Sequence, residues 1–489
     1  MPQRRNLLLA TVLPIVLAAC NAPGDAALKV LVIGGQGDLL GKGVRLPPAG
    51  QLLRGATTEG LVSFDAEGRI IPALADRWIV TDDGLSFIFR LRDGTWPDGT
   101  ALSGDTARDA LRTALAGLRG TALALDLDAI EDVRAMAGRV VEVRLSRPSP
   151  DLLQLLAQPE LGLTRRGRGA GPMAAKPTGE FVVLAAIPPE DRGLPKVPDW
   201  HDKVRSIQLA SVPGRLAVAS FDEDRADVVL GGSYDQLPRA VGGRFLRGAL
   251  KMDAVLGLFG LKVERAEGFL SDRANREALA MAIDRDAIGA ALGLSGWTAT
   301  SRIVSPGAVG DPGTVSERWD GMSLAARRDA ASARVRKWRS ANPDAPALRI
   351  SLPGGPGADL LFGRLESDFR TIGIAVQRVA ADAPADLRVV DQVARYPRAI
   401  WFLNQLSCPI ARGPCSSSAD TRLQQAKLAA DEAGRNALLA EAEREQAATN
   451  VYIPFGVPVR WSLANPRVTG FSINRWAVHP LMPMATRPK

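Results

Sequence analysis

The residue type that most often serves as a catalytic base is almost missing from this sequence. Among 489 residues there are only two histidines, His201 and His479, which lie far apart in the chain. A serine or cysteine nucleophile needs a neighbouring base, most often an imidazole. Neither an HExxH segment nor a GxSxG segment is present. We therefore predict no catalytic residue and no enzymatic activity.

A glycine-rich stretch at residues 34–43, GGQGDLLGKG, at first suggests a loop that cradles phosphate. The P-loop pattern is G-x-x-x-x-G-K-[ST], in which backbone N–H groups hold the phosphates and the hydroxyl holds Mg²⁺. Here Gln36 stands where the first glycine is needed, and Gly43 follows Lys42 where serine or threonine is needed. The stretch does not match the GxGxxG pattern of dinucleotide-binding loops either. We interpret the stretch as a flexible connection after an apolar strand.

One of the three cysteines has a different predicted role from the other two. Cys20 follows Leu17-Ala18-Ala19, at the end of a charged start and an apolar stretch of signal-peptide length. This arrangement resembles the bacterial lipobox, which predicts that residues 1–19 are removed and that lipid on Cys20 holds the protein at a membrane surface. An even pair then remains, Cys408 and Cys415. In an oxidising compartment this pair can form a disulfide; a metal site is the alternative, but both histidines are distant in sequence, and no metal is expected.

Composition excludes several classes of protein. Apolar residues make up 46% and charged residues 23%, and mean hydropathy is +0.00, all ordinary for a globular chain. No apolar run reaches the roughly 18–20 residues that cross a bilayer. The net charge is +8, but no dense basic block and no nucleic-acid motif accompanies it. We expect no nucleic-acid partner and no cofactor.

Apolar periodicity alternates between strand and helix along the whole chain. Residues 28–33 and 85–92 are typical of strands, whereas Ser103 begins a helical pattern as its N-cap. Single helices are predicted over 273–292 and 421–449, and the segment 165–177, rich in glycine, arginine and proline, is predicted to be a loop. Such alternation predicts an α/β protein.

Six motifs, taken in order, resemble the peptide/nickel class of extracytoplasmic solute-binding proteins, the receptors of ABC importers. The resemblance runs from about residue 28 to the C-terminus, and it is the combination that is specific. The motifs are EGLV at 59–62, PALADRW at 72–78, DDGLSFIFRLR at 82–92, WPDGT at 96–100, PTGEF at 177–181 and NREALAMAIDRDAI at 275–288.

The resemblance implies a two-lobed protein that closes on a solute by hinge motion and passes it to a membrane permease. It implies a monomer at the periplasmic or cell-surface face of a bacterial membrane. The first lobe is discontinuous, and a small α/β domain is inserted into it. The implied divisions are a signal peptide at 1–19, a tether at 20–27, the first lobe at 28–56, 174–254 and 463–489, the small domain at 57–173, and the second lobe at 255–462.

The segment that resembles a ligand-binding segment of the family departs from it in charge. Oligopeptide-binding members carry A-D-Y-x-x-P-x-x-F-L-N, whose acid holds the ligand's ammonium; here residues 394–404 read ARYPRAIWFLN. Arg395 replaces the acid, and Arg398 adds a second positive charge. Arg395 can grip a carboxylate or phosphate of a changed ligand. Alternatively, it faces solvent or forms an internal ion pair.

Other candidate ligand-binding residues come from segments that match the family's cleft. For each aromatic candidate, ordinary core packing is the alternative. The candidates besides Arg395 are Arg45, Tyr234, Tyr396, Trp401 and Phe455.

The substituted acid and the weakened PTGEF motif leave a second function open. The chain could retain the fold but act as a signalling or scaffold lipoprotein that does not transport. A ligand screen separates the two hypotheses, because a receptor should be strongly stabilised by its solute.

Overall fold

The computed structural model describes residues 27–41, 43–44, 46–243, 248–342 and 346–488. Cys20 and Arg45 therefore lie outside the described residues. Twenty strands are found within these ranges, and they form five sheets. The strands are β1 (Leu28–Ile33), β2 (Val62–Phe64), β3 (Ile70–Pro72), β4 (Ala75–Val80), β5 (Ser86–Leu91), β6 (Ile130–Ala135), β7 (Val140–Leu145), β8 (Thr164–Arg165), β9 (Arg168–Gly169), β10 (Met173–Thr178), β11 (Phe181–Ala186), β12 (Ile207–Val212), β13 (Val228–Gly232), β14 (Leu250–Asp253), β15 (Gly257–Val263), β16 (Ala347–Ser351), β17 (Ala375–Val379), β18 (Leu387–Val393), β19 (Tyr452–Gly456) and β20 (Arg460–Ala464).

Helices alternate with these strands, as expected for an α/β protein. In the same ranges they are α1 (Pro48–Thr57), α2 (Gly104–Gly117), α3 (Ala122–Asp126), α4 (Leu152–Leu156), α5 (Trp200–Lys203), α6 (Gly214–Asp222), α7 (Leu237–Val241), α8 (Arg273–Ala282), α9 (Arg285–Ala291), α10 (Leu324–Ala341), α11 (Pro356–Thr371), α12 (Ala399–Asn404), α13 (Ser417–Leu428), α14 (Glu432–Ala447) and α15 (Leu481–Met484). Across the part of the chain described, none of the helices is both long and apolar enough to cross a membrane.

The largest sheet has seven strands, in the order β10-β11-β12-β1-β13-β20-β14. Its β1 is parallel to β12 on one side and to β13 on the other. Leu28, Val30 and Val32 alternate along β1 and point into one buried core, which is the period-2 pattern of a strand. β20 lies between β13 and β14 and is antiparallel to both.

A second sheet has five strands, in the order β17-β16-β18-β15-β19. β18 pairs along its whole length with β15, but with β16 only at Leu387 and Arg388. The chain passes from the seven-stranded sheet to the five-stranded sheet at 254–256 and returns at 457–459. Two short crossings of this kind are where a hinge between two bodies is placed.

A smaller antiparallel sheet has four strands, in the order β4-β5-β7-β6. Helix α2 packs on it, and the Ser103 hydroxyl caps the helix by accepting a hydrogen bond from the Thr106 N–H at 3.3 Å. Trp96, the first residue of the WPDGT motif, is buried in the same core. That core continues into Trp401 and Phe402, which belong to the part of the chain around the five-stranded sheet.

The single helix predicted over 273–292 is wrong, because the structure has two helices there, α8 and α9. The break falls at Ile283 and Asp284, where the backbone is extended. The Asp284 carboxylate accepts a hydrogen bond from the Ala287 N–H at 3.1 Å, and its own N–H donates to Asp368 at 3.0 Å. An aspartate that caps a new helix in this way ends the preceding one.

Two other predictions of local structure also need correction. The helix predicted over 421–449 is a pair, α13 and α14, because the Asp431 side chain caps α14 by accepting from the Gly434 N–H at 2.7 Å. The loop predicted over 165–177 contains β8, β9 and most of β10. There, backbone pairing overrides the turn-forming composition.

Cys408 and Cys415 are joined in a disulfide, with Cα atoms 5.2 Å apart. The bridge closes a short loop between α12 and α13. Replacing both cysteines by alanine is expected to lower the free energy of unfolding by about 2–3 kcal/mol, because the unfolded chain regains the freedom that the bridge removes. Urea denaturation of the wild type and the double variant measures this difference. Equal midpoints would contradict the expectation, and the wild type in reductant should match the variant.

Candidate functional site

A cavity of about 340 Å³ lies where the small four-stranded domain meets the five-stranded sheet. Leu118, Leu123 and Glu160 line it from the small domain, and Lys262 and Arg395 line it from the sheet. The segment after β1 also reaches the cavity through Val44, the neighbour of the undescribed Arg45. We refer to this space as the cleft cavity. Its volume is at the lower end of the roughly 300–1,000 Å³ usual for small-molecule sites.

Arg395 forms an internal ion pair across the cleft cavity. Its two terminal nitrogens donate to the two carboxylate oxygens of Glu160 at 2.7 and 3.0 Å, and one of them also donates to Oε1 of Gln158 at 2.9 Å. Glu160 sits in a short 3₁₀ turn, Pro159–Leu161, and its side chain is 6% exposed. A fork-to-fork pair of this kind is strong and directional. The guanidinium of Arg395 is thus already occupied by protein.

Arg54 of α1 lies near the same carboxylate. Burial lowers the pKa of Arg54, and the negative charge of Glu160 opposes that shift. The guanidinium donates to the backbone oxygen of Gly43 at 2.5 Å. Glu160 therefore compensates the positive charges of both Arg395 and Arg54.

Lys262 is a partly buried cation on β15 that faces the cleft cavity. No carboxylate of the described residues comes within 4 Å of its ammonium. Glu264, two residues further along the chain, also lines the cavity and contacts Arg388 at 3.5 Å. Burial lowers the pKa of Lys262, Glu264 opposes this and Arg412 adds to it. Lys262 therefore presents to the cavity a positive charge that forms no direct ion pair with the described residues.

Tyr396 and Asn404 hold a buried carboxylate of the small domain. The Tyr396 hydroxyl and the Asn404 amide each donate to Oδ1 of Asp126 at 2.8 Å, whereas Oδ2 has no partner among the described residues. Burial raises the pKa of Asp126 to about 6, although both hydrogen bonds and the charge of Arg395 act to lower it. Nearby, Arg398 pairs with Asp151. Residues 396–404 thus link the small domain to the part of the chain around the five-stranded sheet.

Asp126→Asn is expected to raise stability at pH 7.5 by about 2–3 kcal/mol, since each pKa unit corresponds to about 1.4 kcal/mol. In the folded protein Asp126 keeps its proton up to about pH 6, whereas in the unfolded chain it loses it near pH 4. The folded state binds more protons in this window, so stability falls as the pH rises through it. Urea denaturation between pH 4 and 7.5 should show a flatter profile for the variant.

The exposed Asp128, which pairs with Lys427 at 2.7 Å, provides the matched control. Asp128→Asn should leave the pH slope of the wild type in place. A wild-type slope that survives Asp126→Asn would show that another group causes it.

The aromatic candidates lie in hydrophobic cores. The ring of Tyr234 packs 4.9 Å from that of Phe259, and Phe455 packs edge-on against the same ring at 5.3 Å. Trp401 packs edge-on against Phe402 at 5.0 Å. None of the three lines the cleft cavity as described.

A second polar cluster lies at the crossings between the two larger sheets. Arg460, at the start of β20, donates from one nitrogen to both oxygens of Asp391 at 2.7 and 2.9 Å. Burial raises the pKa of Asp391, and Arg460 opposes the shift. Close by, Gln236 donates to the Gly354 carbonyl at 2.8 Å and Gly357 donates its N–H to the Asp235 carbonyl at 2.8 Å. These bonds tie the loop after β13 to the start of α11.

Sequence analysis missed Glu160, Lys262, Asp126 and the Asp391–Arg460 pair. One signal was available for the first: an arginine in a position expected to be buried needs a carboxylate. The pattern does not say which of the many acids supplies it, because Glu160 lies 235 residues away in sequence.

The arrangement of two open α/β sheets, two crossings and an inserted small domain is the two-lobed fold of periplasmic binding proteins. OppA of Haemophilus influenzae, solved in complex with RPPGFSPFR, superimposes with a TM-score of 0.80 at 16% identity, over 95% of this chain and all of that one (100%). The murein tripeptide binding protein MppA of Escherichia coli superimposes with a TM-score of 0.79 at 17% identity, over 95% of this chain and 99% of its own.

Residues 69–347 match the family model of the bacterial extracellular solute-binding proteins, family 5. The chain belongs to this family. Among curated relatives, the probable deoxycholate-binding periplasmic protein YgiS of Escherichia coli is 34% identical over 125 residues, 21% of this chain and 23% of its own. The nickel-binding periplasmic protein of Escherichia coli is 30% identical over 102 residues, 21% of this chain and 20% of its own. These alignments span less than a quarter of either relative.

Proposed function

We propose that this chain is the substrate-binding receptor of an ABC importer and that it binds a peptide-like or other small polar solute between its lobes. The observation that carries the proposal is the cleft cavity, which is lined by the small domain, by the five-stranded sheet and by the segment after β1. A site built from separately positioned bodies is completed when they close. Similar proteins are named for peptides, nickel and deoxycholate, so family membership leaves the solute open.

The proposal includes an anchor and a partner. Lipid on Cys20 would hold the mature, monomeric receptor at the periplasmic or cell-surface face of the membrane, within reach of the permease. Delivery then needs binding and release, and no bond is made or broken in the solute. Replacing Cys20 by serine should move the protein from the membrane fraction to the soluble fraction without changing solute binding.

Native mass spectrometry of the mature protein, followed by mild denaturation, tests the receptor function. An enclosed cleft is expected to retain solute through purification, so a released small molecule supports the proposal. A broad thermal-shift screen covering short peptides, nickel and deoxycholate follows. An empty protein that no compound stabilises would contradict transport and favour the signalling or scaffold alternative.

A further inference from the structure

The charges that line the cleft cavity are paired on one wall and leave an excess of positive charge on the other. On the small-domain side, Glu160 binds Arg395 through both oxygens. On the side of the five-stranded sheet, one acid, Glu264, contacts Arg388 at 3.5 Å and also acts on Lys262 through its charge. Lys262 and the exposed Arg412 remain, and neither has a carboxylate within 4 Å among the residues described. The free charge of the cavity is therefore positive, and it resides in Lys262 and Arg412.

A partly buried ammonium without a counter-ion is unfavourable, since burial removes water that would stabilise the charge. The lowered pKa of Lys262 is the protein's response to that environment. A carboxylate or phosphate brought into the cavity restores the missing partner, whereas a solute ammonium meets like charge in a medium that screens poorly. Lys262 therefore distinguishes solutes by the sign of their charge.

Apolar side chains make up part of the remaining lining, beside the polar groups of Thr121, Gln392 and Gln405. Val44, Leu118, Leu123 and Ile410 contribute side chains without hydrogen-bonding groups. Such a surface suits hydrocarbon, which gains by leaving water. The cavity thus offers both unpaired cations and apolar surface within about 340 Å³.

We propose that the solute of this receptor is a small amphipathic anion whose carboxylate or phosphate binds Lys262, with Arg412 assisting at the rim. This inference rests on the receptor function proposed above and names its class of solute. Arg395, although it replaces the family's acid, is a positioning residue here: it holds the small domain through Glu160. Lys262, on β15, determines which sign of solute charge the receptor accepts.

Three matched probes test the proposal by isothermal titration calorimetry: N-acetyl-leucyl-alanine, its C-terminal amide, and leucyl-alanine amide. They share the leucyl-alanine core and differ in charge, which is negative, zero and positive; the first two have nearly the same shape. We expect the acid to bind about 10- to 100-fold more tightly than either amide, as for one hydrogen bond to a charged group. Lys262→Gln should abolish that preference, and Lys262→Arg should retain it.

Lys251→Gln is the matched control, since Lys251 is a partly buried lysine of β14 that does not line the cleft cavity. It should behave as the wild type, and circular dichroism should show all variants folded. Tighter binding of leucyl-alanine amide, an unaltered preference in Lys262→Gln, or a co-purified solute without an anionic group would each overturn the inference and leave the receptor function standing. No binding of any probe, no co-purified solute and no stabilising compound in the broad screen would overturn both.

Discussion

Arg395→Met is expected to lower the free energy of unfolding by about 3 kcal/mol. The substitution removes both hydrogen bonds to Glu160, whose side chain is almost fully buried. A buried carboxylate that loses its partner still lacks the water it gave up on folding. Because the Arg395 side chain is 29% exposed, water can reach the site, and we expect the lower end of the range of about 3–5 kcal/mol known for broken buried pairs. Urea denaturation provides the measurement.

The double variant Glu160→Gln with Arg395→Met tests the cause of that loss. With both charges removed, stability should return to within about 1 kcal/mol of the wild type, because no uncompensated ion remains. If Arg395→Met alone is as stable as the wild type, the ion pair does not hold the small domain, and Arg395 is available to a solute. That outcome would restore the direct ligand contact that the sequence leaves open as one of two alternatives.

Gly357→Ala is expected to destabilise the protein by about 2–3 kcal/mol, the usual cost of forcing a methyl group into a packed site. A Cβ at this position would overlap the backbone carbonyl of Tyr234. Backbone cannot rotate away as a side chain can, so the loop after β13 must separate from α11. The hydrogen bond from the Gly357 N–H to Asp235 would lengthen with it. Urea denaturation measures the loss, and small-angle scattering should show a more open molecule.

Gly363 lies in the same helix and is the matched control for Gly357. A Cβ there meets nothing within 4 Å, so Gly363→Ala should stabilise the protein by about 0.5–1 kcal/mol through reduced chain entropy and better helix propensity. Opposite signs for the two variants are the expected result. If both variants lose stability equally, helix α11 itself is sensitive, and the contact between the lobes is not the cause.

The α/β class and the family were accessible from sequence, because both rest on local signals. Strand β1 and the cap of α2 at Ser103 follow from apolar periodicity and side-chain chemistry. Strand β18 was not predicted, since Arg388, Asp391 and Gln392 interrupt its apolar residues. Its identity depends on pairing with β15 across more than a hundred residues. Long-range pairing has no local signature.

The candidate site was accessible only in part, for the same reason. Sequence comparison drew attention to residues 394–404 because one charge there is unexpected. Whether Arg395 contacts a solute depends on where Glu160 lies, and this is a property of the folded chain. Lys262 gave no signal at all, since a single lysine in an apolar strand is ordinary until the neighbouring acids are found paired with arginines. Which acid pairs with which cation can be read only from the folded structure.

The position of β20 between β13 and β14 has a consequence for how the protein folds. β13 and β14 end before residue 254, but β20 begins only at Arg460. Both strands therefore cannot form their pairing with β20 until about two hundred more residues have been synthesised. Until then β13 has an unpaired edge and β14 has no place in the sheet. High contact order of this kind slows folding, and open edges invite aggregation. The sheet that begins with the first described strand is therefore completed last, after both of its neighbouring sheets have all their strands.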